Sequence, residues 1–384
     1  MSTKKEMGAA PGLPLVMAIE VSSKTWLLGF SNGTHERLRP MDAWDQTAFV
    51  EEVRQARQKF GYVEGTPLLC CYEAGRDGFS IHRFLTSVGI ENTVIDPSSV
   101  EVDQRQKRRK TDRIDVRKLL RLQERRHYHG AHAYRTVAVP SEADEAAMRP
   151  HRERKWLLKE RTAHYARIRS LLALHGVRCG KVSAVDAERV RDWAGQSLSA
   201  ETRQELARHL ERLCMVEQQI KKLETAQSRQ MAVEASAADE KAKRLCMLRG
   251  VGMHTALLLA KEFFGWRHFA GRKQVASLAG LTGCPYASGN TARDQGISKA
   301  GNRRVRTAMV ELAWLWLRWQ PENDMSQWFL RRTEGGNSRT RRRYVVALAR
   351  KLLVALWKYI EHGIVPDRAM WSDGAPMAEL SKAA

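Results

Sequence analysis

Near the N-terminus, apolar residues come in short dense runs separated by polar, helix-like stretches. The segment PLVMAIEVSSKTWLLGF (14–30) reads as a strand, a turn at Ser22-Ser23-Lys24 and a second strand. TPLLCCYEAG (66–75) is another buried run, ending at Glu73 and Gly75, and NTVIDP (92–97) is a third, closed by proline. Between them MDAWDQTAFVEEVRQARQKFG and DGFSIHRFLTSVG carry helical periodicity, and each stops at a glycine. Strands alternating with helices predict an α/β domain with a parallel component over residues 14–128, preceded by a short disordered lead over 1–13.

The pattern then changes. SEADEAAMRPHRERKWLLKERTAHYARIRSLLALHG (141–176) opens on a capping serine with acids in its first turn and closes at Gly176; Pro150 delays regular helix to about residue 151. A second long helix runs over 201–231, where Leu206, Leu210, Leu213, Ile220 and Leu223 recur at three- and four-residue spacing. Together these predict an antiparallel coiled-coil arm over 141–231, although ordinary tertiary packing gives the same periodicity. From 240 to 362 the chain reads as a mainly helical domain: a helix, tight turn and helix around GVG, a glycine-rich loop between helices, and a last amphipathic helix. Residues 363–384 read as a disordered tail.

Composition adds a partner. The 384 residues carry 65 Lys and Arg against 43 Asp and Glu, a formal charge of +22. A polyanion fits such an excess, nucleic acid first, because each neutralised phosphate releases counterions. The basic runs at 104–126, 149–169 and 331–351 are each net positive, which favours an extended polyanion over scattered solvated faces. No apolar run is long enough to span a bilayer, and the N-terminus lacks a signal-peptide cleavage pattern. The six cysteines include no CxxC pair and read as reduced thiols of a cytosolic protein.

Four acids are the first candidate chemistry. Glu20 and Glu73 end apolar strands, and Asp112 and Asp115 stand three apart inside RRKTDRIDVRKLL. Carboxylates at strand ends and on an adjoining helix can share one cleft at the edge of an α/β sheet, and their mutual repulsion calls for a cation. Mg²⁺ suits such oxygen ligands, and paired ions can stabilise both oxygens of a phosphoryl displacement. Taken singly, each acid also fits an exposed strand end or a surface ion pair. The turn at Gly250 and Gly252 is similar to helix-hairpin-helix elements that turn backbone N–H groups to a phosphate, and equally to a plain helix–helix turn. YASGNTARDQGISKAGNRRVR (286–306) places Ser288 among small residues ahead of Arg293, Lys299, Arg303, Arg304 and Arg306. By local sequence alone Ser288 reads as a turn residue, and Ser298 as a helix cap. Trp314, Trp316, Trp319 and Trp357 read as core, with base stacking the alternative.

AIEVSSKTW, CYEAGRDGF, KTDRIDVRKLL, GVGMHTA and ASG…GISKAGNRRVR stand in the order found in the DEDD insertion-sequence transposases, which include the pilin-gene invertases. The chain resembles that family over roughly residues 15–360. The resemblance implies a RuvC-like, ribonuclease H-type N-terminal domain, a coiled-coil linker and a C-terminal transposase domain. It implies Mg²⁺ on Glu20, Glu73, Asp112 and Asp115, and a nucleophilic Ser288 that forms a covalent DNA intermediate. It also implies a structured non-coding guide RNA, and dimers pairing into tetramers in which acids and serine come from different subunits. The protein would act in the bacterial cytoplasm, on the nucleoid. Most of the family reads GIDVSK at the first acid, where this chain has Glu20; glutamate keeps the charge and adds one methylene. Nucleic-acid contacts are expected at Arg108, Arg109, Lys110, Gly250, Gly252, Arg293, Lys299, Arg303, Arg304 and Arg306. Two rival readings remain: a Mg²⁺-dependent junction nuclease in which water attacks, and a non-catalytic nucleic-acid-binding scaffold.

Overall fold

The dense apolar runs become the inner strands of a sheet. In the computed structural model, which describes residues 13–63, 65–100, 111–130, 133–233, 235–288 and 291–373, the chain divides into two units, 1–139 and 140–384. The first holds β1 (Leu15–Val21), β2 (Thr25–Ser31), β3 (Glu36–Asp42), β4 (Leu68–Glu73) and β5 (Glu91–Ile95) in the order β3-β2-β1-β4-β5. β1, β2 and β3 pair antiparallel, whereas β4 and β5 run parallel to β1. Both faces of β1 are buried, which explains its unbroken apolar run. Leu15, Met17 and Ile19 pack with Phe49 of α1 (Gln46–Lys59) and Leu85 of α2 (Ser80–Ser87). Val16 and Ala18 pack on the other face with Val116 and Leu120 of α3 (Asp112–His127).

Two expectations for this unit need correction. β3 went unread because it is a mostly exposed edge strand containing Pro40, without apolar alternation. The unit also continues past residue 128: Thr136 bridges to Ile95, and Val137 and Val139 join the core.

The second unit begins with α4 (Glu142–Ala147) and α5 (Arg149–Leu174), with Pro150 in the first turn of α5. α5 packs along α6 (Ala200–Val233). The two helices are antiparallel, since Arg154 pairs with Glu224 (2.7 Å), Tyr165 with Glu217 (2.6 Å) and His164 with His209 (3.2 Å). Of the five expected positions, Leu206, Leu213 and Ile220 are buried and Leu210 and Leu223 half-buried; Val216 is buried with Ile220 against Leu157 of α5, whereas Met231 belongs to the core of the helices that follow.

Beyond the pair, α7 (Ala237–Cys246), α8 (Met253–Leu259), α9 (Arg272–Leu278), α10 (Arg303–Trp319), α11 (Asp324–Thr333) and α12 (Ser338–His362) enclose one apolar core. α8 runs on into a π-helical turn, Ala260–Phe264. Trp316 and Trp357 are in this core, whereas Trp314 and Trp319 are about two-fifths exposed, at 41% and 39%. The glycine-rich stretch expected as a loop is instead an antiparallel hairpin, β6 (Gly283–Ser288) and β7 (Thr291–Ile297). Ordered packing also extends beyond residue 362: Met370 N–H donates to Gln320 Oε1 (2.6 Å), and Trp371 bridges to Leu248.

Candidate active site

Three features of the first unit bring acids together. Glu20 is the next-to-last residue of β1 and Glu73 the last of β4, strands that are neighbours in parallel register with Ile19 beside Tyr72. Alternation along each strand puts both on the face that packs against α3, since Val16, Ala18 and Cys71 lie there. α3 runs opposite to β1. Its last-turn neighbour Tyr128 donates to the carbonyl of Pro14 (2.9 Å), at the start of β1, so its first turn points towards Glu20. The approach is close: a methyl group on Gly29, which pairs with Ala18, would lie 2.9 Å from both Val116 and Leu120.

α3 starts there for ordinary reasons. Thr111 caps it, accepting from Ile114 N–H, and Asp112 and Asp115 sit in the first turn, where the helix dipole favours acids. Glu20, Glu73 and Asp115 line one cleft of about 360 Å³, together with Asp77 and Arg76. Glu20 and Asp115 are half-buried and Glu73 is exposed. Asp112 is exposed and does not line the cleft. Asp77 was not singled out from sequence, although its place four residues after Glu73 was a usable signal.

The donor set is carboxylate oxygen from two strands and a helix, the chemistry of a hard divalent cation such as Mg²⁺. Among the described residues no three His, Cys, Asp or Glu side chains are grouped closely enough to enclose an ion. The cleft therefore presents ligands of the right kind without closing them round a centre. Tyr72 also lines it, and burial pushes its phenol up to about 12, so it stays protonated at neutral pH.

Ser288 stands in the second unit, as the last residue of β6, opposite Thr291 at the turn end of the hairpin. The hairpin returns through Lys299, in left-handed backbone (φ 56°), to Asn302, which caps α10. A buried carboxylate fixes this point. Glu262 of the π-helical turn is 2% exposed and accepts from His151 Nε2 (2.9 Å), Arg152 Nε (2.6 Å) and Nη2 (2.9 Å), and Asn302 Nδ2 (3.3 Å). Burial pushes its carboxyl up, but the hydrogen bonds from Arg152 and His151 and the charge on Arg152 outweigh it, holding the group well below the ordinary range. One side chain thus ties the root of α5 to the downstream end of the serine hairpin. Sequence reasoning missed it, because a lone glutamate in KEFF carries no pattern.

The expected nucleic-acid contacts separate in the structure. Arg108, Arg109 and Lys110 lie outside the described residues, as do the side chains of Ser288 and Arg293. Gly250 adopts a left-handed turn (φ 91°), and Trp319 packs against it, 3.0 Å from where a methyl group would stand. Gly252 caps α8 with open space beside it. Arg306 donates to the carbonyls of Lys299 (2.8 Å) and Ala279 (3.3 Å), so it braces the hairpin exit. Arg304 lies 3.9 Å from Glu262, while Arg303 and Lys299 are exposed.

Comparison with known proteins adds the family. The family described as Transposase IS116/IS110/IS902 matches residues 242–327. Across 375 residues the chain is 36% identical to "Putative transposase y4rJ" of Sinorhizobium fredii, covering 93% of this chain and 94% of that one. It is 25% identical over 252 residues to "Transposase for insertion sequence element IS1328" of Yersinia enterocolitica, covering 64% of this chain and 70% of that protein. No helix among the described residues is long and apolar enough to cross a membrane. With such identity over nearly its full length, the chain belongs to the IS116/IS110/IS902 family of transposases.

Proposed function

We propose that this transposase mobilises its own insertion sequence by DNA strand exchange through a covalent Ser288–DNA intermediate, with Mg²⁺ held by Glu20, Glu73 and Asp115, and with Asp112, exposed and off the cleft, outside the ligand set. The observation that carries the reading is the meeting of Glu20, Glu73 and Asp115 at one cleft, from two adjacent parallel strands and the helix crossing them. The strand order, with three antiparallel strands followed by two parallel to the first, supports a ribonuclease H-type, RuvC-like domain. The antiparallel α5–α6 pair supports a coiled-coil arm.

In the reaction the Ser288 hydroxyl oxygen bonds to phosphorus, one bridging P–O bond breaks, and the departing deoxyribose hydroxyl takes up a proton. Religation reverses these bonds on a second DNA end. Bound Mg²⁺ would supply charge stabilisation for the pentavalent phosphorus and orient its oxygens. The carboxylates would hold the ion, and the cations beside them in sequence, from Arg108 through Lys110, would bring in the phosphate backbone. A non-coding guide RNA, and dimers pairing into tetramers with serine and acids from different subunits, complete the proposal.

The test is Glu20→Gln, which removes the charge at nearly constant size. Excision and insertion of the element are expected to fall below about 1% of wild type, since losing even an outer-shell partner of a metal costs about 10–100-fold. Recombination at the wild-type rate would show that Glu20 is not a ligand.

A further inference from the structure

A cleft of about 990 Å³ in the second unit lies beside the base of the serine hairpin. One wall is α12, which contributes Arg339, Arg342, Arg350, Lys351 and Lys358 over 20 residues, a length of about 28 Å. The facing wall carries Arg272 and Lys273 of α9 and Lys299 at the hairpin exit. Among the described residues that line it, none is a carboxylate. Its floor is apolar, formed by Leu281, Ile297, Val346 and the half-buried Trp328, with Lys351 Nζ 4.7 Å from the indole centroid.

We infer that this cleft binds a single strand of nucleic acid, with phosphates on the two basic walls and at least one unpaired base against Trp328. The combination of walls and floor selects the occupant. A duplex offers phosphates outside and keeps its bases paired inside, so it would use the cations and leave the floor in water. An unpaired strand offers both a polyanion and flat apolar faces, and base–aromatic stacking tolerates any sequence. Gly283, Gly296 and Ile297 line the same cleft, so a strand lying in it runs past the foot of the hairpin. Ser288 lies five residue steps along β6 from Gly283 at that foot, about 17 Å. The cleft thus holds unpaired nucleic acid within a few nucleotides of the proposed nucleophile. The inference rests on the reading of this chain as a DNA-transposing enzyme, which a Ser288 adduct tests separately.

The experiment measures fluorescence anisotropy of the full chain with a labelled 12-nucleotide DNA, the corresponding RNA, and the DNA duplex of the same sequence. Binding of a single strand at least tenfold tighter than duplex is expected; the DNA and RNA arms say which strand the cleft prefers. Trp328→Leu keeps apolar volume without a ring, and is expected to weaken single-strand binding about tenfold with the salt dependence unchanged. Arg339→Ala with Arg342→Ala, both exposed and safe for folding, should instead flatten the log–log salt slope by about 1.4, at roughly 0.7 per lost phosphate contact. Equal affinity for duplex and single strand, or binding indifferent to both sets of changes, overturns the assignment. So does Trp328-dependent uptake of poly-glutamate without oligonucleotide binding, which would point to an acidic protein partner. If these fail while the Ser288 adduct still forms, the cleft assignment falls and the transposition chemistry stands.

Discussion

Glu262→Ala is expected to destabilise the second unit by about 3–5 kcal/mol, the cost of stranding buried charge when one partner of an ion pair is removed. The alanine leaves the Arg152 guanidinium and the buried His151 without their acceptor, and Asn302 loses one of its bonds. For a unit of this size, that loss lowers the melting temperature by about 6–20 °C. The pH dependence has a definite sign. The folded carboxyl lies below its unfolded value near 4.3, so the stabilisation is complete above that pH and is lost as pH falls through the folded value. Wild type and variant should therefore differ fully at pH 7 and converge only in acid, below about pH 4. A melting scan by circular dichroism at pH 7 reads the effect; a shift under 2 °C would mean that the network at the hairpin exit is not structural.

Asp115→Asn is expected to reduce strand exchange at least about 100-fold while leaving the fold intact, because it removes a carboxylate charge that lines the cleft and, in the proposed mechanism, would hold Mg²⁺. Asparagine still suits the first turn of α3, and repulsion from Glu20 and Glu73 falls, so stability without metal should stay within about 1 kcal/mol of wild type. The same change at Asp112 should be the milder of the two, since that side chain is exposed and off the cleft. Melting in the presence of Mg²⁺ gives an independent readout. The wild-type chain should gain stability as the ion binds the folded form, and the Asp115 variant should gain little. Strand exchange at the wild-type rate in Asp115→Asn would remove the acid cleft from the mechanism.

The acid cleft was largely legible because its parts are marked by local pattern. β1 and β4 are buried on both faces, so their apolar runs are unbroken, and Glu20 and Glu73 mark where burial ends. α3 is announced by Thr111, its first-turn acids and the buried Val116, Leu119 and Leu120. What stayed hidden depends on partners far along the chain. β3 is held by pairing to β2, with Met41 its one buried side chain. The hairpin strands GCPYAS and TARDQGI show no alternation, so their register comes from one another. Glu262 is defined by residues 111, 110 and 40 positions away, at His151, Arg152 and Asn302. The basic cleft joins α9 to α12 across more than 60 residues of chain; only its Arg339–Lys351 edge falls within the basic run read from sequence.

The central claim is that Ser288, not water, attacks the phosphodiester. The direct measurement is to mix the full-length protein with Mg²⁺ and labelled DNA bearing the element's ends, then separate under denaturing conditions. Wild type should show label travelling with the protein and released by protease, and Ser288→Ala should show none. A protein–DNA adduct that survives Ser288→Ala, or wild-type cleavage to free ends with no adduct, would contradict the account, the latter in favour of a water-using junction nuclease.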